Sequence, residues 1–316
     1  MSARGPSFHG SLILVIACLL AACRVAAPAV YPGAVSTARG EFVIYGDTRP
    51  WIFGEFWRAP AGDSRRAVIA RLAEEEPDFV LNTGDLVAFG SHAGAWAGFD
   101  EEMAPLREKG IAYWAALGNH DLWPDPDAAI AHWNARFPHM NGQRWYALRH
   151  GAIDLVVLDT NSGLLTPGQI AAQAAWYRDR LAADDADPDV RCVIVACHQT
   201  PMTNGIAHGS SQWVMENFVE PGRTCSKFRA VFAGHVHSYE RFLDRGVHIV
   251  VSGGGGAPLM DVEGPGGTYP DLYDGPRGHH FCRLTPREDR IDVEVVMLGG
   301  GSTWFVADRF AIELSK

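Results

Sequence analysis

Short apolar runs that end in a polar side chain, in four of five cases next to a glycine, recur along the chain. Five of them cover residues 41–45, 78–82, 111–117, 192–197 and 229–233. Near-continuous apolar composition over a few residues is typical of strands buried on both faces of a sheet. Because sites in open α/β sheets form beyond the carboxyl ends of strands, we expect the polar residues that follow these runs to converge at one edge.

Two segments between the strands have helical periodicity. Asp63 or Ser64 is placed to cap a helix that runs to about Glu75, and Thr166-Pro167 is placed to start a second helix. Further strands are predicted over residues 143–150, 153–158, 247–252, 279–284 and 290–297. This pattern predicts an α/β sandwich with two mixed sheets inside and helices outside.

The predicted sandwich forms a single domain over residues 41–316. No internal repeat and no Pro/Gly/Ser-rich linker divides this part of the chain. Hydrophobic residues make up 47% of the sequence and charged residues 20%, which is typical of a globular protein. The 27 Lys and Arg residues against 37 Asp and Glu give a formal net charge of −10. Nucleic acid is therefore not an expected partner, since binding to its backbone requires clustered basic residues.

The first 22 residues have the composition of an export signal. Residues 11–20 form an apolar run that is too short to span a bilayer about 30 Å thick but matches the core of a signal peptide. The segment Leu20-Ala21-Ala22-Cys23 resembles the lipobox of bacterial lipoproteins, which implies cleavage before Cys23 and its lipidation. Residues 23–40 would then be the anchor and a flexible tether.

This resemblance implies a lipoprotein of the bacterial cell envelope that faces the periplasm. Ordinary cleavage a few residues later, between residues 25 and 29, would instead give a secreted protein. An exported location permits disulfides among the four cysteines beyond the leader, and the sequence leaves all three pairings open. These cysteines are Cys192, Cys197, Cys225 and Cys282. None of them forms a CxxC pair, so a cysteine zinc site has little support.

Six polar side chains that follow apolar runs have the chemistry of a metal site. They are Asp47, Asp85, Asn119, His198, His235 and His237. Carboxylate, amide and imidazole groups bind Mn, Zn or Fe, and two ions roughly 3.5–4 Å apart need a shared ligand. A single Asp after a strand is more typical of a turn or helix cap, and a single His of a surface or core position. The hypothesis therefore depends on the whole set.

The same residues lie in motifs that resemble those of a known family. Their order along the chain is Gly46-Asp47, Gly84-Asp85, Gly118-Asn119-His120-Asp121, His198 and Gly234-His235-Val236-His237. These segments resemble the successive motifs of the calcineurin-like metallophosphoesterases. The segment 234–241 is similar to the GHxHxYER motif of the purple acid phosphatase branch, and 252–257 to the Gly-rich turn that follows it. The resemblance covers residues 41 to about 260 and implies the family's αββα sandwich.

The resemblance also implies a role for each residue. Asp85 would bridge two ions, Asp47 and His237 would complete the first metal site, and Asn119, His198 and His235 would complete the second. His120 would stabilise charge on the attacked phosphoryl group, with Asp121 as the partner that orients its imidazole. His208 would protonate the leaving group, although an exposed loop position is the alternative interpretation.

Two positions depart from the family pattern. Ala88 stands where the purple acid phosphatases have a tyrosine ligand, and Arg49 stands where other family members have a histidine ligand. The first metal site therefore has three evident protein ligands, and Mn, Zn or Fe(II) is favoured over a trivalent iron. Arg49 is predicted either to hold a phosphate oxygen or to brace the carboxylates.

Three further features of the sequence can be interpreted as purely structural. The aromatic segment 51–57 would line the substrate pocket or simply pack in the core, and Asp159 and the glycines 253–256 are predicted to form turns. Pocket shape would depend on the loops 49–62, 122–128 and 202–215, so that monoester and diester substrates both remain open.

The resemblance implies a dinuclear-metal phosphohydrolase that cleaves phosphate monoesters or small diesters by attack of a metal-bound hydroxide. The alternative function is a metal-binding lipoprotein of the same fold with lost or very weak turnover. A third alternative is an interaction or structural lipoprotein that uses only the fold. Metal content and turnover distinguish the three.

Overall fold

The computed structural model describes residues 27–35, 37, 40–50, 52, 61–263 and 266–315. Within these ranges the chain forms two six-stranded sheets. In chain order the strands are β1 (Phe42–Tyr45), β2 (Phe79–Asn82), β3 (Ala112–Ala115), β4 (Tyr146–His150), β5 (Ile153–Val157), β6 (Cys192–Cys197), β7 (Phe228–Ala233), β8 (Tyr239–Asp244), β9 (Val247–Ser252), β10 (His280–Pro286), β11 (Arg290–Leu298) and β12 (Trp304–Glu313).

Both sheets are mixed, as the sequence predicts. The first has the order β12-β11-β10-β1-β2-β3, and its β1, β2 and β3 are parallel. The second has the order β4-β5-β6-β7-β9-β8, and its β5, β6, β7 and β9 are parallel. All the predicted metal ligands follow parallel strands, so that each sheet presents its polar residues at one edge.

The core confirms the layered arrangement. Ile194 and Ala196 of β6 belong to the hydrophobic cluster that also contains β1, β2 and β10 side chains. Val193 and Val195 of the same strand belong to a second cluster, with Tyr177 and other residues of the outer layer. Because alternate residues of a strand point to opposite faces, β6 is buried on both sides. This explains why its sequence is apolar throughout.

Helices cover the outer faces of the sheets. Within the described residues, the α-helices of five or more residues are α1 (Gly62–Glu75), α2 (Ala93–Glu102), α3 (Ala104–Glu108), α4 (Pro126–Arg136) and α5 (Pro167–Ala186). The predicted start of α5 is confirmed, since Thr166 caps the helix in a capping box with Gln169. The predicted cap of α1 is wrong. That helix starts after Ala61 with no side-chain cap, and Asp63 lies in its first turn, where it pairs with Arg66.

The prediction of a flexible tether over residues 23–40 is wrong for the described residues 27–35. The ring of Tyr31 is only 2% exposed and packs against Phe99, Tyr113 and Phe137. The backbone amide of Tyr31 donates to the Arg136 carbonyl, and the carbonyl of Pro32 accepts from the Tyr113 amide of the edge strand β3. Burial of this aromatic ring holds the segment on the domain.

The predicted signal peptide over 1–22 and the anchor Cys23 lie outside the described residues. Among the residues that the structure describes, no helix has both the length and the apolar composition needed to cross a bilayer.

The four cysteines of the domain are unpaired. Cys192, Cys197, Cys225 and Cys282 are all buried free thiols. Burial raises the pKa of the Cys197 and Cys282 thiols to about 12, so both remain protonated and unreactive at neutral pH. None of the three disulfide pairings that the sequence left open is therefore formed.

Candidate metal centre

The carboxyl ends of strands from both sheets supply the predicted ligands. Asp47 follows β1, Asp85 follows β2 and Asn119 follows β3 in the first sheet. His198 follows β6, and His235 and His237 follow β7, in the second sheet. The site thus lies where the edges of the two sheets meet.

One group of ligand atoms belongs to Asp47, Asp85 and His237. One carboxylate oxygen from each Asp and a ring nitrogen of the His all lie within 4.8 Å of one another. Nδ1 of His237 is 2.7 Å from the Pro258 carbonyl, to which it donates, so that Nε2 is left as the ligand atom. Nε2 of His237 is 3.5 Å from Oδ1 of Asp47. These three side chains are almost completely buried.

A second group surrounds His198 and shares Asp85 with the first. Nε2 of His198 lies 2.9 Å from Oδ1 of Asn119, 3.2 Å from Nδ1 of His235 and 3.4 Å from Oδ1 of Asp85. Nδ1 of His198 donates to the Thr83 carbonyl at 3.1 Å, which directs Nε2 at the group. The structure therefore brings all six predicted ligands together, in two sets with Asp85 common to both.

The backbone at this centre adopts an uncommon conformation. Asp47, Asp85 and His235 have φ values of 61°, 58° and 70°, in the left-handed region that non-glycine residues rarely occupy. The backbone amide of His235 donates to Oδ2 of Asp47 at 2.9 Å, and the amide of His120 donates to Oδ1 of Asp85 at 2.9 Å. Strained residues that are held by such contacts are concentrated at functional sites.

Glycines allow the motifs to approach this closely. A Cβ atom on Gly118 would lie 2.2 Å from Oδ1 of Asp85, and one on Gly234 would lie 2.4 Å from Oδ2 of Asp47. A Cβ on Gly253 would lie 2.8 Å from Oδ2 of Asp47. Gly253, the first residue of the Gly-rich turn 253–256, therefore packs directly on the centre.

The protonation states suit metal binding. Burial, together with the nearby His198, lowers the pKa of His235 to about 3, and burial also lowers the pKa of His198. Both imidazoles are therefore neutral at pH 7, the form that binds metal ions. Burial and the negative charge of Asp85 raise the pKa of Asp47, a repulsion that a cation between the two carboxylates would relieve. The donor set thus fits a pair of divalent ions.

His120 has a different orienting partner from the one predicted. Its Nδ1 donates to the Ala88 carbonyl at 3.0 Å. Asp121 instead accepts from the backbone amides of Asp85, Leu86, Val87 and Gly118 at 2.8–3.1 Å. Since these amides occupy both of its carboxylate oxygens, Asp121 fixes the loops that carry the ligands. The prediction that Asp121 orients the imidazole is wrong, and the sequence holds no signal for a backbone carbonyl in that role.

Arg49 and Ala88 lie beside the centre. Nε of Arg49 is 3.7 Å from Oδ2 of Asp85, and the arginine is only 3% exposed. This contact matches the predicted bracing of a carboxylate, and the phosphate-holding role stays a prediction. Ala88 contributes its carbonyl to His120 and has no side chain that binds metal.

The remaining predicted positions lie around this core. The ring of His208 packs on that of His235, with centroids 4.4 Å apart, which places it at the centre. Asp159 accepts from Arg144 at 2.6 Å and from the Asn161 amide at 2.9 Å, in keeping with its predicted turn. The aromatic segment 51–57 lies almost entirely outside the described residues.

Comparisons with known proteins agree with this arrangement. The family model for calcineurin-like phosphoesterases matches residues 42–239. Purple acid phosphatase 1 of Ipomoea batatas is 28% identical over 180 residues, which cover 51% of this chain and 36% of that protein. The chain thus spans only about a third of the length of this relative.

Two solved structures share the fold. The purple acid phosphatase PPD1 from seeds of yellow lupin, Lupinus luteus, matches with a TM-score of 0.64 at 20% identity, over 90% of this chain and 55% of that one. GAP50, described as the anchor in the inner membrane complex of Plasmodium, matches with a TM-score of 0.68 at 14% identity, over 87% of this chain and 89% of that one. At these low sequence identities the two matches show a shared fold and nothing further.

Proposed function

This chain belongs to the calcineurin-like phosphoesterase family, and we propose that it is a metal-dependent hydrolase of phosphate monoesters or small phosphodiesters. The observation that carries the proposal is the sharing of Asp85 between two sets of ligand atoms. A purely structural use of the fold would not require six metal-binding side chains to converge in a buried, strained arrangement.

The chain's residues support this chemistry in distinct ways. Asp47, Asp85 and His237 would hold one ion, and Asn119, His198 and His235, again with Asp85, would hold the second. Bound divalent ions supply charge that polarises a phosphoryl group and lowers the pKa of water. His120 is fixed through Nδ1 by the Ala88 carbonyl, so that its Nε2 is the ring atom left for the substrate. His208 lies next to His235 and would supply a proton to the leaving oxygen.

The test compares p-nitrophenyl phosphate with its bis ester, using protein supplied with Mn²⁺ or Zn²⁺. Asp85→Asn is expected to lower kcat/KM by at least about 100-fold, because it removes the ligand that both ions share. The matched control is Asp63→Asn, which changes an exposed carboxylate on α1. His120→Ala, which leaves all six ligands intact, is expected to lower kcat while metal content is unchanged. Full activity of Asp85→Asn, or in EDTA, would refute the proposal.

A second candidate function is metal binding with lost or very weak turnover. It is favoured by Ala88 and Arg49, since neither supplies a fourth ligand for the first ion. Elemental analysis combined with the same assays separates the two, because the alternative requires bound metal without turnover of either ester. The metal identity, among Mn, Zn and Fe, would follow from the same analysis.

We also propose that the mature protein is a lipoprotein of the bacterial envelope, anchored through Cys23 and facing the periplasm. The support is the segment Leu20-Ala21-Ala22-Cys23 after the apolar run. Labelling with a palmitate analogue in a bacterial host is expected to mark the wild-type protein and to be lost in Cys23→Ala. Equal labelling of the two would exclude this anchor.

A further inference from the structure

Beside His120 lies an aromatic surface that the phosphoryl chemistry does not require. Trp123 packs on Phe89 with ring centroids 5.0 Å apart, and Phe89 stacks on His92 with centroids 5.3 Å apart. The ring of Trp123 is 6.4 Å from that of His120, centroid to centroid. We call Phe89 and Trp123 the aromatic platform.

The platform is held in place by the backbone. The amide of Gly90 donates to the His120 carbonyl at 3.0 Å, and the amide of Ser91 donates to the Trp123 carbonyl at 3.4 Å. A Cβ atom on Gly90 would lie 1.8 Å from the Asp121 carbonyl oxygen, so that only glycine permits this contact. The loop that carries Phe89 and the loop that carries His120 and Trp123 are therefore held together by backbone contacts at residues 90 and 91.

Trp123 is nevertheless 50% exposed. An indole ring that is fixed in position but left half in water keeps a large apolar surface free for a ligand. The short distance between the Trp123 and His120 rings indicates which kind of ligand would use this surface. The His120 amide donates to Asp85, and the His120 ring separates the ligand set from Trp123, so a ring attached to a phosphoryl group at the ligand set would need to reach only one side chain further to contact Trp123.

We propose that the aromatic platform is a leaving-group subsite, which selects phosphoesters whose leaving group contains a planar aromatic ring. This inference rests on the proposed function and specifies its substrate class. Stacking on Trp123 favours such rings through both apolar burial and the geometry of aromatic pairs, whereas an alkyl leaving group gains only the smaller apolar contact. Aryl rings and nucleobases share this chemistry.

The test measures binding rather than turnover. Calorimetric titration of the full chain, supplied with Mn²⁺ or Zn²⁺, would compare phenylphosphonate, methylphosphonate and a phosphonate analogue of adenosine monophosphate. Wild type is expected to bind phenylphosphonate roughly tenfold more tightly than methylphosphonate. Trp123→Ala is expected to remove most of this preference while changing the Kd for methylphosphonate by less than about twofold. Trp123→Phe should retain part of it.

Leu243→Ala is the matched control. Leu243 is 53% exposed, near the hairpin between β8 and β9, which lies at the sheet edge opposite the metal centre. This variant should bind all three ligands as wild type does. The adenosine analogue shows whether the platform accepts a nucleobase or only a ring bonded directly to phosphorus.

The possible results separate the subsite from the proposed function. An equal loss of affinity for phenyl and methyl ligands in Trp123→Ala, or no loss for either, would overturn the subsite. A ring preference that depends on Trp123 in a protein that hydrolyses no ester would support the subsite and overturn only the proposed activity. A wild-type protein that binds none of the phosphonates would overturn both.

Discussion

The guanidinium Nε of Arg49 lies 3.7 Å from Oδ2 of Asp85, the carboxylate that belongs to both sets of ligand atoms. A fixed positive charge therefore lies next to the position that a cation would occupy. In a buried site this charge stabilises the carboxylate without metal and repels an ion that binds there. The position at which the family resemblance implies a histidine ligand thus provides a counter-charge in this chain.

Arg49→Gln is expected to shift the balance between the apoprotein and the metal-bound form. Loss of the counter-charge should lower the stability of the metal-free protein by about 3 kcal/mol. Removal of the repulsion should also tighten Mn²⁺ binding, so that Mn²⁺ raises Tm more in the variant than in wild type. Thermal melts with and without Mn²⁺ measure both effects. Arg66→Gln, which removes an exposed arginine on α1, is the control. Weaker Mn²⁺ binding by Arg49→Gln would contradict the interpretation.

Asp121 is expected to stabilise the folded state of the protein. Its two carboxylate oxygens accept from four backbone amides at the ligand loops. Asp121→Asn would replace one acceptor with an NH₂ group that faces those donors, at a cost of about 1–3 kcal/mol. Urea unfolding of the apoprotein measures this loss. Asp127→Asn, in the first turn of α4, is a control in which little change is expected. A stable Asp121→Asn variant with altered activity would restore the role that the sequence suggested.

Tyr31 is expected to anchor the N-terminal segment to the domain. The ring is buried among Phe99, Tyr113 and Phe137, and its hydroxyl lies 3.2 Å from Oδ1 of Asp100. Tyr31→Ala should lower the free energy of unfolding by about 3 kcal/mol, as large aromatic truncations in cores do. Val30→Ala is the adjacent control, because Val30 is 56% exposed. Equal stabilities of the two variants would show that the segment behaves as a free tether.

The pH dependence of stability should include a contribution from Asp184. Burial, together with the nearby Asp154, raises the pKa of Asp184 to about 7, although Arg180 contacts both carboxylates. The folded state therefore binds a proton more tightly than the unfolded state does. This contribution to stability is complete below about pH 4, the ordinary range of an Asp, and is lost as the pH rises through about 7.

Urea midpoints between pH 5 and pH 8 measure this effect. Relative to Asp184→Asn, wild type should lose stability as the pH rises over that range. Asp179→Asn, which changes an exposed carboxylate on the same helix, is the control and should follow wild type. Parallel pH profiles for wild type and Asp184→Asn would rule out the predicted titration.

The sequence by itself determined the buried strands, the two-sheet sandwich and the chemistry of the ligand set. These features follow from local composition. A strand buried on both faces must be apolar along its length, and polar residues just beyond the carboxyl ends of such strands lie where sites form in α/β sheets. The start of α5 was also predictable, since the Thr166 capping box lies within a few residues. Two strands, β8 and β12, were not predicted. Their partly exposed residues lack the apolar runs on which the prediction depended.

Only the tertiary structure decided which groups each functional residue contacts. Asp121 binds amides about 35 positions away, and His120 is oriented by a carbonyl at position 88. Backbone amides and carbonyls occur at nearly every residue. The sequence therefore does not indicate which amide or carbonyl the fold places next to a given side chain. Likewise, the docking of Tyr31, the pairing of Arg49 with Asp85 and the exposed platform beside His120 depend on contacts between distant segments. Residue types fix the possible chemistry, whereas packing selects the partners.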